Sequence, residues 1–115
     1  MRFVFFALCI LGLGQPAWAS NIFFCSMQEF AGVEKNKFKQ FKLENFRMAV
    51  SAREVQFGSG GFLNNYNLKD VDFISDEFFD ARDSYIIMKY ESPNLYISAT
   101  YYDEVNLIYA TCDKF

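Results

Sequence analysis

Three runs in the last third of the chain constrain its fold more than any other feature. They are Tyr85–Tyr90, Leu95–Tyr102 and Val105–Cys112. All are rich in Ile, Tyr, Val and Thr, residues that fit a pleated, half-buried surface. The breaks between them are Glu91-Ser92-Pro93-Asn94 and Asp103-Glu104. Apolar runs of strand length separated by short turn sequences read as an antiparallel meander. Alternation assigns the faces: Ile86, Met88 and Tyr90 share one, as do Leu95, Ile97, Ala99 and Tyr101 on the next run. On the last run Ile108, Ala110 and Cys112 share one face, and Val105, Leu107 and Tyr109 share the other. A strand apolar on both faces is expected to be covered on both, either in the middle of a sandwich or as a barrel wall under an outer loop.

The first nineteen residues read as a secretory signal. Arg2 supplies a short positive region, Phe3 to Leu13 an apolar run too short to span a bilayer, and Gly14-Gln15-Pro16 a break. Ala17-Trp18-Ala19 places small residues where a signal peptidase needs them, so cleavage is expected between Ala19 and Ser20. A lipoprotein reading of Cys9 is disfavoured by bulky Leu8 before it. The expected organisation is a signal peptide over 1–19 and one exported domain over 20–115, secreted or periplasmic. Without Arg2, ten basic residues face fourteen acidic ones, a net charge of −4. That balance argues against nucleic acid as a partner. No second apolar run is long enough for a transmembrane segment in the mature chain.

Removing the signal leaves two cysteines, Cys25 and Cys112. In an oxidising compartment they allow one intramolecular bridge. A redox pair would show Cys-x-x-Cys spacing, and a zinc site would need further ligands in a chain with no histidine. A bridge between the first and last strands requires that they lie side by side or face each other across the core. Both a barrel and a two-sheet sandwich meet that requirement. The expected class is all-β: a single antiparallel domain of about seven or eight strands, as meander barrel or sandwich.

The middle of the chain supports this class. Ile22 to Met27 reads as a first strand ended by Gly32 and Glu34-Lys35-Asn36-Lys37. A helix over Met27 to Phe41 competes, since Phe30, Val33, Phe38 and Phe41 approach helical spacing. Phe41 to Ser51 alternates, with Phe46, Met48 and Val50 on one face, and Arg53 to Phe57 returns with Val55 and Phe57 inward. Gly58-Ser59-Gly60-Gly61 matches neither dinucleotide nor nucleoside-triphosphate loops; the glycines read as a tight turn needing positive φ. Lys69 to Ser75 reads as a strand with Val71 and Phe73 on one face. A turn and a further strand with Phe79 and Ala81 inward follow.

The chemistry is sparse. Without histidine there is no triad base and no imidazole ligand. Only carboxylates remain, in the stretch Asp70, Asp72, Asp76, Glu77, Asp80 and Asp83. These suit a solvated acidic face, less readily a hydrolase pair or an irregular calcium loop. The segment 34–54 is net +3 and 70–115 net −7, so the chain is electrically lopsided. We expect no catalytic, cofactor or metal-binding residues, and Cys25 and Cys112 as the sole site residues, a disulfide. The expected function is a non-enzymatic binding module for an apolar ligand or a protein partner, with Tyr66, Tyr96 and Tyr102 as anchors. An inhibitor of a secreted basic enzyme is the alternative, and a carboxylate hydrolase a lesser one.

Overall fold

The computed structural model describes residues 21–115; the signal-peptide assignment lies outside them. Ten strands form one antiparallel sheet: β1 Asn21–Glu34, β2 Lys37–Gln40, β3 Asn45–Val50, β4 Val55–Phe57, β5 Asn67–Leu68, β6 Asp70–Ser75, β7 Phe78–Arg82, β8 Ile86–Glu91, β9 Asn94–Tyr101 and β10 Glu104–Lys114. The class is all-β as expected, with ten strands where the sequence suggests seven or eight. The excess comes from short segments, β2 and β5, that carry no alternation of their own.

The strand order is β5-β4-β3-β1-β10-β9-β8-β7-β6, with β2 also on β1. The sheet curls until it is nearly closed into a barrel, and its two edges are consecutive in the chain. β5 ends at Leu68 and β6 begins at Asp70, so Lys69 alone crosses the gap. Only β1 and β10 are neighbours in the sheet without being close in sequence. Their register places Cys25 directly opposite Cys112, and the two are joined as a disulfide with Cα atoms 4.0 Å apart. The first and last strands therefore lie side by side.

β1 is longer than its sequence suggests, for two physical reasons. Phe23, Cys25 and Met27 point inward, and so does Phe30, three residues further on. The odd step is a bulge: Tyr109 pairs with Glu29 and Ala110 with Met27, leaving Gln28 extra. One inserted residue shifts the alternation without ending the strand. The spacing that imitates a helix over Met27 to Phe41 mixes two faces, with Phe30 inward and Val33 and Phe38 outward, and the segment is strand and turn instead. Gly32 does not terminate β1. A Cβ there would collide with Asn106 Oδ1 and the Val105 carbonyl oxygen, so glycine marks the close approach of β10.

β2 and β3 together form the return leg of β1. Between them Phe41 N donates to Phe30 O and Met27 N to Glu44 O. The glycine turn follows β4, with Gly60 and Gly61 at φ of 89° and 82°. Glu44 accepts a hydrogen bond from Phe62 N at 3.0 Å and fastens that turn to β3. Phe79 and Ala81 on β7 and Val55 and Phe57 on β4 are buried as expected.

Side chains fill the barrel. Phe23 meets Tyr90 and Phe79 edge-on, with ring centroids 5.2 and 5.9 Å apart, and Phe79 lies 4.9 Å from Tyr90. Met48, Leu68 and Leu95 are fully buried around them. Each buried aromatic removes on the order of 150–250 Å² from water, which is how a chain of this size assembles a core.

Candidate functional site

Barrel strands point alternate residues outward, and on most strands here those positions are polar, as with Arg47, Gln56 and Asp72. The outer face of β8, β9, β10 and the second half of β1 departs from that rule. Leu107 is 59% exposed, Ile87 56% and Tyr96 45%, with Val33 and Val105 beside them. Register sets them in rows across the sheet. One row runs Ala31, Leu107, Ser98, Ile87; the next runs Glu29, Tyr109, Tyr96, Lys89. Large and small side chains alternate along the first row. Within these four strands the second has a charge on each side of a tyrosine pair, and beyond Lys89 it continues to Asp80 on β7, which lies 3.5 Å from Arg82.

The small residues leave a groove of about 470 Å³, with Ser98 its floor between the Leu107 and Ile87 walls and Ala31 a second low point beyond Leu107. That is within the range of ligand-sized clefts. Tyr96 and Tyr109 stack at 5.4 Å with planes 23° apart. Tyr109 is held in place by donating its hydroxyl hydrogen to Asn94 Oδ1 at 2.8 Å. Among the described residues neither Glu29 nor Lys89 has an ion-pair partner. They stand three strands apart, about 14 Å at the usual inter-strand spacing, too far to pair with each other.

The expectation that an outer loop or second sheet covers Val105, Leu107 and Tyr109 is corrected here: among the described residues nothing lies over that face. The turns joining β8 to β9 and β9 to β10 are too short to fold back over it. The longer segment 58–66 is used at the other side, where Phe62 packs 5.1 Å from Phe30. The sequence named Leu107 and Tyr109 as a second apolar face but did not single out Ala31, Ile87 or Ser98, nor Glu29 and Lys89. Their signal was an outward Ile87 in register with an outward Leu107, visible only once strand pairing is known.

Of the three anchor tyrosines, Tyr96 lies in the groove. Tyr102 is fully exposed at the tip of the β9–β10 turn. Tyr66 is engaged elsewhere, donating its hydroxyl hydrogen to Asp83. Asp83 also accepts from the amides of Tyr85 and Ile86, both at 2.8 Å. Partial burial pushes the Asp83 carboxyl up, but these three donors together outweigh it and hold the carboxyl below its ordinary value. Burial first, then the bond to Asp83, pushes the Tyr66 phenol well above its usual range. Tyr101, stacked on Tyr85 at 5.5 Å, is raised by burial and then by the Asp83 charge.

Of the acidic stretch only Asp70 and Asp83 share a cleft, an open one that Lys69 and Arg82 also line. Asp70 and Asp72 are exposed on β6, Asp76 and Glu77 occupy the β6–β7 turn, and Asp83 occupies the β7–β8 turn. Asp72 sits opposite Asp80, but Arg82 lies 3.5 Å from Asp80 Oδ1, and Asp76 is paired with Lys114. Among the described residues no three acidic or cysteine side chains are placed to hold a metal ion. Among those residues, too, no helix is long and apolar enough to cross a membrane. No family model, curated protein or solved structure matches this chain.

Proposed function

We propose that the protein is an exported, non-enzymatic docking module that binds a protein partner on the outer face of β8, β9, β10 and β1. The observation that carries it is the groove walled by Leu107 and Ile87, an apolar surface in water where neighbouring strands present polar residues. Covering the exposed parts of these two side chains would contribute about 1 kcal/mol each. The stacked tyrosines add stiff, amphipathic contact area of the kind that dominates interfaces. The barrel interior is occupied by Phe23, Phe79 and Tyr90, which favours an external partner over an apolar ligand inside the barrel.

Export is supported by the tripartite N-terminal sequence together with the disulfide. The non-enzymatic reading is supported by the lack of histidine, the bonded cysteines and the commitment of Asp83, the one carboxylate sharing a cleft with Asp70, to Tyr66 and two backbone amides.

The test is affinity capture from the exported fraction of the host with wild-type and Leu107→Asp bait. Wild type is expected to retain protein, the Leu107→Asp bait to lose it, and a Tyr102→Ser bait to behave as wild type. Equal capture by the wild-type and Leu107→Asp baits would refute the assignment of this face.

A further inference from the structure

The two outer rows have a property beyond being apolar: each is complementary to its own reversal. Read from β1 to β8, the first row is Ala31, Leu107, Ser98, Ile87. Turned end for end, it sets Ile87 over Ala31 and Leu107 over Ser98, each large side chain over a small one. The second row, Glu29, Tyr109, Tyr96, Lys89, turned the same way sets Glu29 against Lys89 and Tyr109 against Tyr96. A two-fold axis lying in the interface, along the strand direction between β9 and β10, performs this reversal on both rows at once.

From this match we infer that the occupant of the groove is a second copy of the same chain, docked face to face across that axis. The inference rests on the docking reading above and names the partner. An isologous contact uses one patch twice, so the patch must be complementary to itself in shape and charge. Here each copy would supply two wall residues to the other's two floor positions. Glu29 and Lys89, which have no ion-pair partner among the described residues, would form two symmetric ion pairs at the margins. A dimer about an axis across the strands fails the same comparison: laid along the second row it opposes Glu29 to Glu29 and Lys89 to Lys89, and laid along the first it opposes Leu107 to Leu107 and Ile87 to Ile87. Like charges face to face disfavour the wrong alignment and fix the right one.

Sedimentation velocity of the oxidised protein from the exported fraction tests the charge pairing. Wild type is expected to sediment as a dimer at about 100 μM. Glu29→Lys and Lys89→Glu, each alone, are expected to weaken association about tenfold, since each sets like charges together twice. The double variant restores opposite charges and is expected to return within about threefold of wild type. A wild type that stays monomeric at that concentration overturns the proposal, as does a double variant no better than the singles. Urea midpoints matching wild type exclude misfolding as the cause of any loss. A photo-crosslinking residue at position 98 then identifies what lies in the groove. Because Ser98 is already beside Leu107 within one chain, only adducts that join two copies, read by mixing isotope-labelled and unlabelled protein, support a second copy. Adducts only to other proteins overturn the self-docking while leaving the docking reading intact, and the lack of any protein adduct overturns both.

Discussion

Reducing the Cys25–Cys112 bond should cost the domain about 4 to 5 kcal/mol. The bridge spans a sequence separation of 87 residues. Loop-closure entropy grows with the logarithm of loop length, and a loop of that size corresponds to about 4.6 kcal/mol at 25 °C. The constraint acts on the unfolded chain, because in the folded state β1 and β10 are already held by their ladder. Comparing oxidised with reduced wild-type protein isolates it, since both sulfurs remain in the buried core. Serine replacements would instead leave buried hydroxyls and mix two effects. Urea unfolding followed by far-ultraviolet circular dichroism gives both quantities that matter. The reduced protein should lose about 4 to 5 kcal/mol and show a larger m-value, because its unfolded ensemble is more expanded. At about 4–8 °C per kcal/mol, its Tm should fall by roughly 16–40 °C. A loss below about 1.5 kcal/mol with an unchanged m-value would refute the reasoning, since the unfolded chain would then be no freer without the bond.

Three further outcomes follow from particular contacts. Gly32→Ala should destabilise by about 1–3 kcal/mol in the same assay, because the new Cβ meets the backbone oxygen of Val105, which no rotamer change can relieve. Phe79→Ala should cost about 3–5 kcal/mol, since its ring lies between Phe23, Phe73 and Tyr90 in a fully buried position. Asp83→Asn should be destabilising at neutral pH. The folded-state pKa of Asp83 is lowered, so the contribution of its charge is present above the unfolded value near about 4 and is lost as pH falls through the folded value. The stability gap between wild type and Asp83→Asn, measured from pH 7 down to pH 2, should therefore close in acid. A gap constant over that range would count against the Tyr66–Asp83 bond.

Much of the architecture was legible because local patterns agreed with the global one. The Ile86-Met88-Tyr90 and Ile108-Ala110-Cys112 alternations, and the cysteines near the two ends of the domain, all pointed to one antiparallel sheet. What escaped depended on partners distant in sequence. Gly32 reads as a breaker until Asn106 is found against it. Phe30, Val33 and Phe38 read as one helical face until strand pairing turns Phe30 inward and the other two outward. Val105 and Leu107 read as covered because an apolar second face usually is, and only the lengths of the connections reveal that nothing in the described chain reaches them. The rows of the groove join four strands, so no stretch of sequence contains one of them.

One consequence of the sheet order reaches beyond the native molecule. Starting at β6 and passing from β10 to β1, the strands run round the barrel in a single unbroken procession to β5. The connectivity is thus an up-and-down cylinder whose polypeptide is cut between β10 and β1, with sulfur in place of the missing peptide link. A circular permutant that fused those two strands and opened at Lys69 would have only hairpin-like neighbours. Its low contact order should let it fold faster than the parent, with the cystine made redundant for speed.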